Sequence, residues 1–178
     1  MKLLNLIMFQ AGWLTCVVSL SNQQEWLSSA SLLILIAVHL YLTKSWRTEI
    51  KIILIAGLTG LCIDSVLIAQ NVFSGEWNIA INGLAPLWLI GLWMLFGTTI
   101  NHSLAWFKDH LWLSALAGLV FAPLAYWAGY RFGVLYFPED VAHYWMLLII
   151  GACWFVVTPF LLWLSTIFEK RANAVYSG

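Results

Sequence analysis

Asp64 is an acid placed about twelve residues into an apolar run, Ile52–Ala69, roughly 18 Å from the start of that run at about 1.5 Å per helical residue. An acid at the centre of a bilayer costs about 2.5–3.5 kcal/mol on insertion scales, so it needs a partner. Arg131 closes another apolar run, Leu111–Gly129, and a long side chain can bring its cation toward the same depth. An Asp64–Arg131 pair would tie two helices, and a neutral Asp64 hydrogen-bonded to a Tyr or Trp would do the same. The chemical alternatives are a proton relay, or an acid–base group acting on a lipid whose headgroup phosphate Arg131 holds.

Other polar residues fall at the ends of apolar runs. Tyr126, Tyr130, Glu139, Asp140 and His143 gather near Arg131 and have the ingredients of an acid–base site, without the spacing of a catalytic motif. At the opposite ends lie His39, Asn101-His102-Ser103 and His110. No two of these histidines stand at the i, i+4 spacing that puts metal ligands on one helix face. They read as polar caps, and the expectation is no metal and no cofactor. Gln10 lies mid-run in the first segment, where an amide serves as interhelical glue worth roughly 0.6 kcal/mol.

Six apolar runs must position these residues: Leu3–Leu20, Trp26–Leu42, Ile52–Ala69, Leu84–Ile100, Leu111–Gly129 and Ala142–Thr166. The chain is 62% hydrophobic and 9% charged, with a mean hydropathy of +0.88. A soluble domain carries about 25% charged residues. Each run approaches the length that crosses about 30 Å of hydrocarbon, and six of them leave no room for a soluble catalytic domain. Zero formal net charge gives no electrostatic case for nucleic acid. Lys2, Lys44, Arg47, Lys51, Lys108, Lys170 and Arg171 all fall on one side of a six-span plan, and only Arg131 lies opposite. Cytoplasmic loops collect Lys and Arg, so both termini are expected inside.

The fold class expected is therefore all-α: a polytopic membrane protein with six transmembrane helices, N-in and C-in, forming one domain over residues 1–178. The first helix is expected to stay uncleaved, because Asn5, Gln10 and Trp13 interrupt the continuous apolar stretch of a signal peptide. The three cysteines lie inside apolar runs and are expected as buried structural thiols. In the fifth run Ala115, Gly118, Ala122, Ala125 and Gly129 form a small-residue stripe that lets another backbone approach, so this helix is expected to be the most enclosed. Gly57, Gly60 and Asp64 share a face of the third, which turns Asp64 into the bundle. Pro138, Glu139 and Asp140 are expected to open the sixth helix. Trp88, Trp93, Trp127, Trp154 and Trp163 sit within helices, where an indole N–H wants a partner.

Several short motifs occur in order: Asn5-x3-Phe9-Gln10, Asp64-Ser65, Asn101-His102-Ser103-Leu104-Ala105-Trp106 and Pro123-x2-Tyr126-Trp127-x-Gly129. Together they resemble an uncharacterised bacterial family of small multi-pass inner-membrane proteins, classed under a domain of unknown function. The resemblance implies no established activity. It implies gene clusters that also encode fatty-acid-modifying enzymes, including cyclopropane-synthase-like methyltransferases, and hence a lipid-related role. The resulting expectation is a lipid-linked accessory protein that binds membrane lipids or a membrane-bound lipid-modifying enzyme, in a possible homo-oligomer. A lipid enzyme built on Asp64 and Arg131, and a small proton-coupled transporter, are the alternatives.

Overall fold

A computed structural model describes residues 2–77 and 83–176, with backbone alone for the last four. Asn78, expected in the longest connection, lies outside the described residues. The described residues form six α-helices: α1 Lys2–Ser21, α2 Glu25–Leu42, α3 Trp46–Ala69, α4 Leu87–Gly97, α5 Leu111–Arg131 and α6 His143–Tyr176. A 3₁₀ turn, Ala105–Asp109, lies between α4 and α5. No strand occurs among the described residues.

Five of these helices are long and apolar enough to cross a membrane. The fourth run departs from expectation. Its α-helix has 11 residues, about 16 Å, and the chain then continues through turns over 98–104. Irregular backbone at membrane depth is tolerated where protein surrounds it, and Thr98, Thr99 and Ile100 are all buried. The α3 helix also begins earlier than expected, taking up Trp46–Lys51 and shortening the basic turn. Pro138, Glu139 and Asp140 lie in the turn before α6 rather than in its first turn.

Packing sets the layout. The most extensive contact is α5 on α6, followed by α3 on α4 and α1 on α2, with α4 also touching α1 and α2. The α5–α6 pair reaches the rest of the bundle largely through α6 on α3. Glycines permit the closest approaches. A Cβ on Gly118 would sit 2.4 Å from the Trp154 carbonyl oxygen, and one on Gly12 would sit 2.5 Å from a Leu95 methyl. Of the small-residue stripe, Ala115, Gly118, Ala122 and Gly129 are buried and Ala125 is half-buried. The expectation that α5 is the most enclosed helix fails: 44% of the α3 span is buried against 28% of α5. The stripe covers one face of α5 only, whereas α3 is clasped from two sides by α4 and α6.

Leu33, Ile34, Leu58, Val66 and Val156 are among many exposed large hydrophobics. In water such a surface would aggregate; against acyl chains it is the solvated face. Cys16 is buried, with Sγ 3.0 Å from Ser28 Oγ, but Cys62 is exposed on this lipid-facing surface, against the expectation of a buried thiol. At the end of the bundle away from the two termini, the connections fold inward. Phe73, Val134 and Leu135 are buried, and Ser74 and Tyr136 exchange two backbone hydrogen bonds at 2.9 and 2.8 Å.

Candidate functional site

Asp64 is fully buried on the α3 face that carries Gly57 and Gly60. Those glycines let α4 come so close that a Cβ on Gly60 would lie 2.1 Å from Trp93 Cγ. The approach delivers the Trp93 indole N–H to Asp64 Oδ2 at 2.7 Å. Tyr126 of α5 donates its hydroxyl to Oδ1, also at 2.7 Å. The Trp93 ring stacks on Trp154 of α6 with centroids 4.2 Å apart. Asp64 thus joins α3, α4 and α5, with α6 behind. Arg131 is exposed and forms no ion pair among the described residues. Of the two ties expected for Asp64, the structure has the hydrogen bonds to a tyrosine and a tryptophan and not the pair with Arg131. Tyr126 lies more than one turn deeper in α5 than Arg131, which leaves the guanidinium at the helix end.

A second polar centre forms at the end of the bundle that carries both termini. Glu49 occupies the first turn of α3 and His39 the last turn of α2, where the helix dipoles favour an acid and a potential cation respectively. After α4, Thr98 and Thr99 donate to the carbonyls of Leu95 and Phe96 at 2.7 and 2.6 Å. The following turns swing Asn101, His102 and Ser103 over Glu49. Asn101 Nδ2 donates to Glu49 Oε1 at 2.9 Å. His39 Nε2 lies 3.4 Å from Oε2 and His102 Nε2 lies 3.5 Å from Oε1. The two imidazoles meet edge to face, centroids 4.9 Å apart.

Further side chains hold this centre in place. Asn101 Oδ1 accepts from Lys108 Nζ at 2.7 Å and from the Ser165 hydroxyl of α6. Lys108 also pairs with Glu169 at 2.8 Å. Asn5 of α1 donates to the Thr98 carbonyl at 3.1 Å and accepts from the Ser103 hydroxyl at 2.8 Å. Sequence reasoning singled out His39, Asn101 and His102 as separate caps, and missed Glu49 and Ser165. An acid set between Arg47 and Lys51 reads as part of a solvated charged turn, and the signal that it is buried is absent from its neighbours. His110, grouped with the other two histidines by sequence, stacks on Trp106 instead, 4.3 Å away.

Between the two centres lies a lateral cleft of about 520 Å³, bounded by α1, α4, α5 and α6. Phe9 and Trp13 form one wall, Phe121 and Ala125 the other. Trp93 and Tyr126, which hold Asp64, line it, as do Thr99 and Ser103 beside the second centre. Thr158 lies at its floor with its hydroxyl buried and without a hydrogen bond. Gln10 lines the cleft too, but it is exposed and makes no interhelical bond among the described residues. Its expected role as glue fails because α1 does not pack against α5 at this position. A separate depression of about 600 Å³ at the far end brings Tyr130, Glu139 and His143 together. Tyr126 is not part of it.

Five helices long and apolar enough to cross a membrane, packed around an apolar core with two buried polar centres, mark a multi-pass membrane protein. More particularly, residues 2–160 match the family described as a protein of unknown function (DUF2878), and the chain belongs to that family. No curated protein and no solved structure matches the chain.

Proposed function

We propose that this chain is a lipid-linked accessory protein of the bacterial inner membrane, with both termini in the cytoplasm, which takes an acyl chain into the cleft between α1 and α5. The cleft itself carries the reading. Its volume of about 520 Å³ falls within the roughly 300–1,000 Å³ of ligand pockets, and like them it combines apolar walls with a few polar groups. Thr99, Ser103 and Thr158 supply polar groups along it. A membrane-bound lipid-modifying enzyme is the partner such a protein would serve.

The reading is tested with the protein in nanodiscs of phosphatidylethanolamine and phosphatidylglycerol doped with a phospholipid carrying a diazirine in its acyl chain. Illumination should concentrate adducts on cleft residues such as Phe9 and Phe121, and Ala125→Trp should remove most of them. Adducts spread evenly over Leu33, Leu58 and the cleft would defeat the proposal.

One observation favours an enzymatic version. Tyr126 both lines the cleft and donates to Asp64, so a proton has a path from a cleft-bound molecule, through the Tyr126 hydroxyl, to the buried carboxylate. In that version Tyr126→Phe keeps lipid occupancy and abolishes complementation of a deletion strain. An altered acyl-chain profile in the deletion strain supports either lipid reading. Unchanged lipids with altered solute uptake would point instead to a proton-coupled transporter.

A further inference from the structure

We propose that His39, Glu49 and His102 form a binding site for a divalent first-row transition metal ion at the end of the bundle that carries the termini. The site stands apart from the lipid reading and survives its failure. The potential ligand atoms of these three residues all lie within 4.8 Å of one another. Nitrogen and oxygen ligands at about 2.0–2.1 Å around a tetrahedral ion stand about 3.4 Å apart. The two contacts between histidine Nε2 and the carboxylate are 3.4 and 3.5 Å. They are long for hydrogen bonds, and because each reaches a different oxygen of Glu49, one of them is already right for an edge of a metal tetrahedron when Glu49 binds through a single oxygen. The other two edges each need to close by no more than about 1.4 Å from that 4.8 Å limit.

The surroundings suit a cation. His39 and Glu49 are each 2% exposed, and His102 Nε2 is buried without a hydrogen bond although it faces the carboxylate. When both imidazoles bind as neutral ligands, the donor set carries the single negative charge of Glu49, and the nearby Lys108 is offset by Glu169. Ligands in metal sites are held by outer partners. Here Asn101 holds Glu49, and is itself held by Lys108 and Ser165. Two histidines with one carboxylate and an open fourth position suit zinc, iron, cobalt or nickel rather than calcium or magnesium, which prefer oxygen.

One contact opposes loading. The Asn5 amide nitrogen faces His39 Nδ1 at 3.4 Å, which favours the tautomer with its proton on Nε2. Coordination through Nε2 moves that proton to Nδ1, and the Asn5 amide must turn its oxygen toward it, surrendering its bond to the Thr98 carbonyl.

The test uses the full chain, purified in detergent with a histidine-free tag, stripped with chelator and titrated with cobalt(II) and zinc(II). One equivalent per chain should bind, with the visible absorption of a tetrahedral cobalt centre. Glu49→Gln and His102→Gln should each weaken binding at least tenfold, and His110→Ala should leave it unchanged. Thermal melting identifies any variant that misfolds, and the half-buried His102 gives the milder change. Absence of stoichiometric cobalt binding by the parent chain overturns the proposal. So does binding that persists undiminished in a folded His102→Gln variant, or that His110→Ala alone removes.

Discussion

Tyr126 of α5 and Trp93 of α4 share one carboxylate: each donates a 2.7 Å hydrogen bond to a different oxygen of Asp64 on α3. The acid is thereby the meeting point of three helices. Neutral donors rather than a cation satisfy it, so its proton state is set without a fixed counter-charge. Hydrogen bonds to charged groups contribute about 1.5–3 kcal/mol, and stranding a buried polar atom costs about 1–3 kcal/mol.

Three substitutions should therefore rank in order of damage. Asp64→Asn can keep its oxygen toward the Trp93 N–H and turn its amide toward the Tyr126 oxygen, and should cost about 1 kcal/mol. Tyr126→Phe strands Oδ1 and should cost about 1–3 kcal/mol. Trp93→Phe loses both the bond and part of the stack on Trp154, and should cost the most. Melting of the purified protein in one detergent checks the order; Asp64→Asn as the worst of the three would contradict it.

Close helix approach should make Gly118 intolerant of a single methyl group. The obstruction in Gly118→Ala is the Trp154 backbone carbonyl, 2.4 Å from the new Cβ, which cannot rotate aside. Overpacking of this kind costs about 1–3 kcal/mol, read as a lower melting temperature and folded yield. Val120→Leu, on an exposed position of the same helix, should behave as the parent. Equal loss in both would show that the α5–α6 contact is misassigned.

Ala122 and Ala125 should separate packing from cleft. Ala122 is buried, so Ala122→Leu should reduce folded yield. Ala125 is half-buried and lines the cleft, so Ala125→Leu should fold normally while narrowing the cavity. Yield by size-exclusion chromatography distinguishes them, and matching losses would remove Ala125 from the cleft wall.

The proposed N-in, C-in topology rests on the distribution of Lys and Arg. Reporter fusions after Ser74 and at Gly178 should report opposite compartments. The same compartment for both would overturn the N-in, C-in arrangement.

Apolar runs made the helices legible, because length and hydropathy alone decide whether a segment can lie in hydrocarbon. The Gly57–Gly60–Asp64 face was legible for a similar reason: three-residue and four-residue spacing is local. Its partners were legible by type, a Tyr or Trp being one of two ties expected, but not by position. Whether Asp64 meets Arg131 or Trp93 depends on how far α4 penetrates, and nothing in run Leu84–Ile100 distinguishes a full span from 11 helical residues followed by turns. The histidine–glutamate cluster was hidden more completely. His39, Glu49 and His102 belong to three different segments, and only the turn after α4 brings the last onto the first two.

The shortness of α4 bears on the order in which the chain enters the bilayer. Eleven helical residues span about half the hydrocarbon thickness, and the turns that follow expose carbonyls that lipid cannot solvate. Left alone, such a segment gains little by leaving the translocation channel. It becomes stable only against a receptor already in place: the glycine face of α3, which accepts Trp93, and α1, whose Asn5 satisfies the Thr98 carbonyl. Insertion of the first three helices is thus a precondition for the fourth, and a lesion at Gly60 would act during synthesis, before any ligand or metal meets the protein.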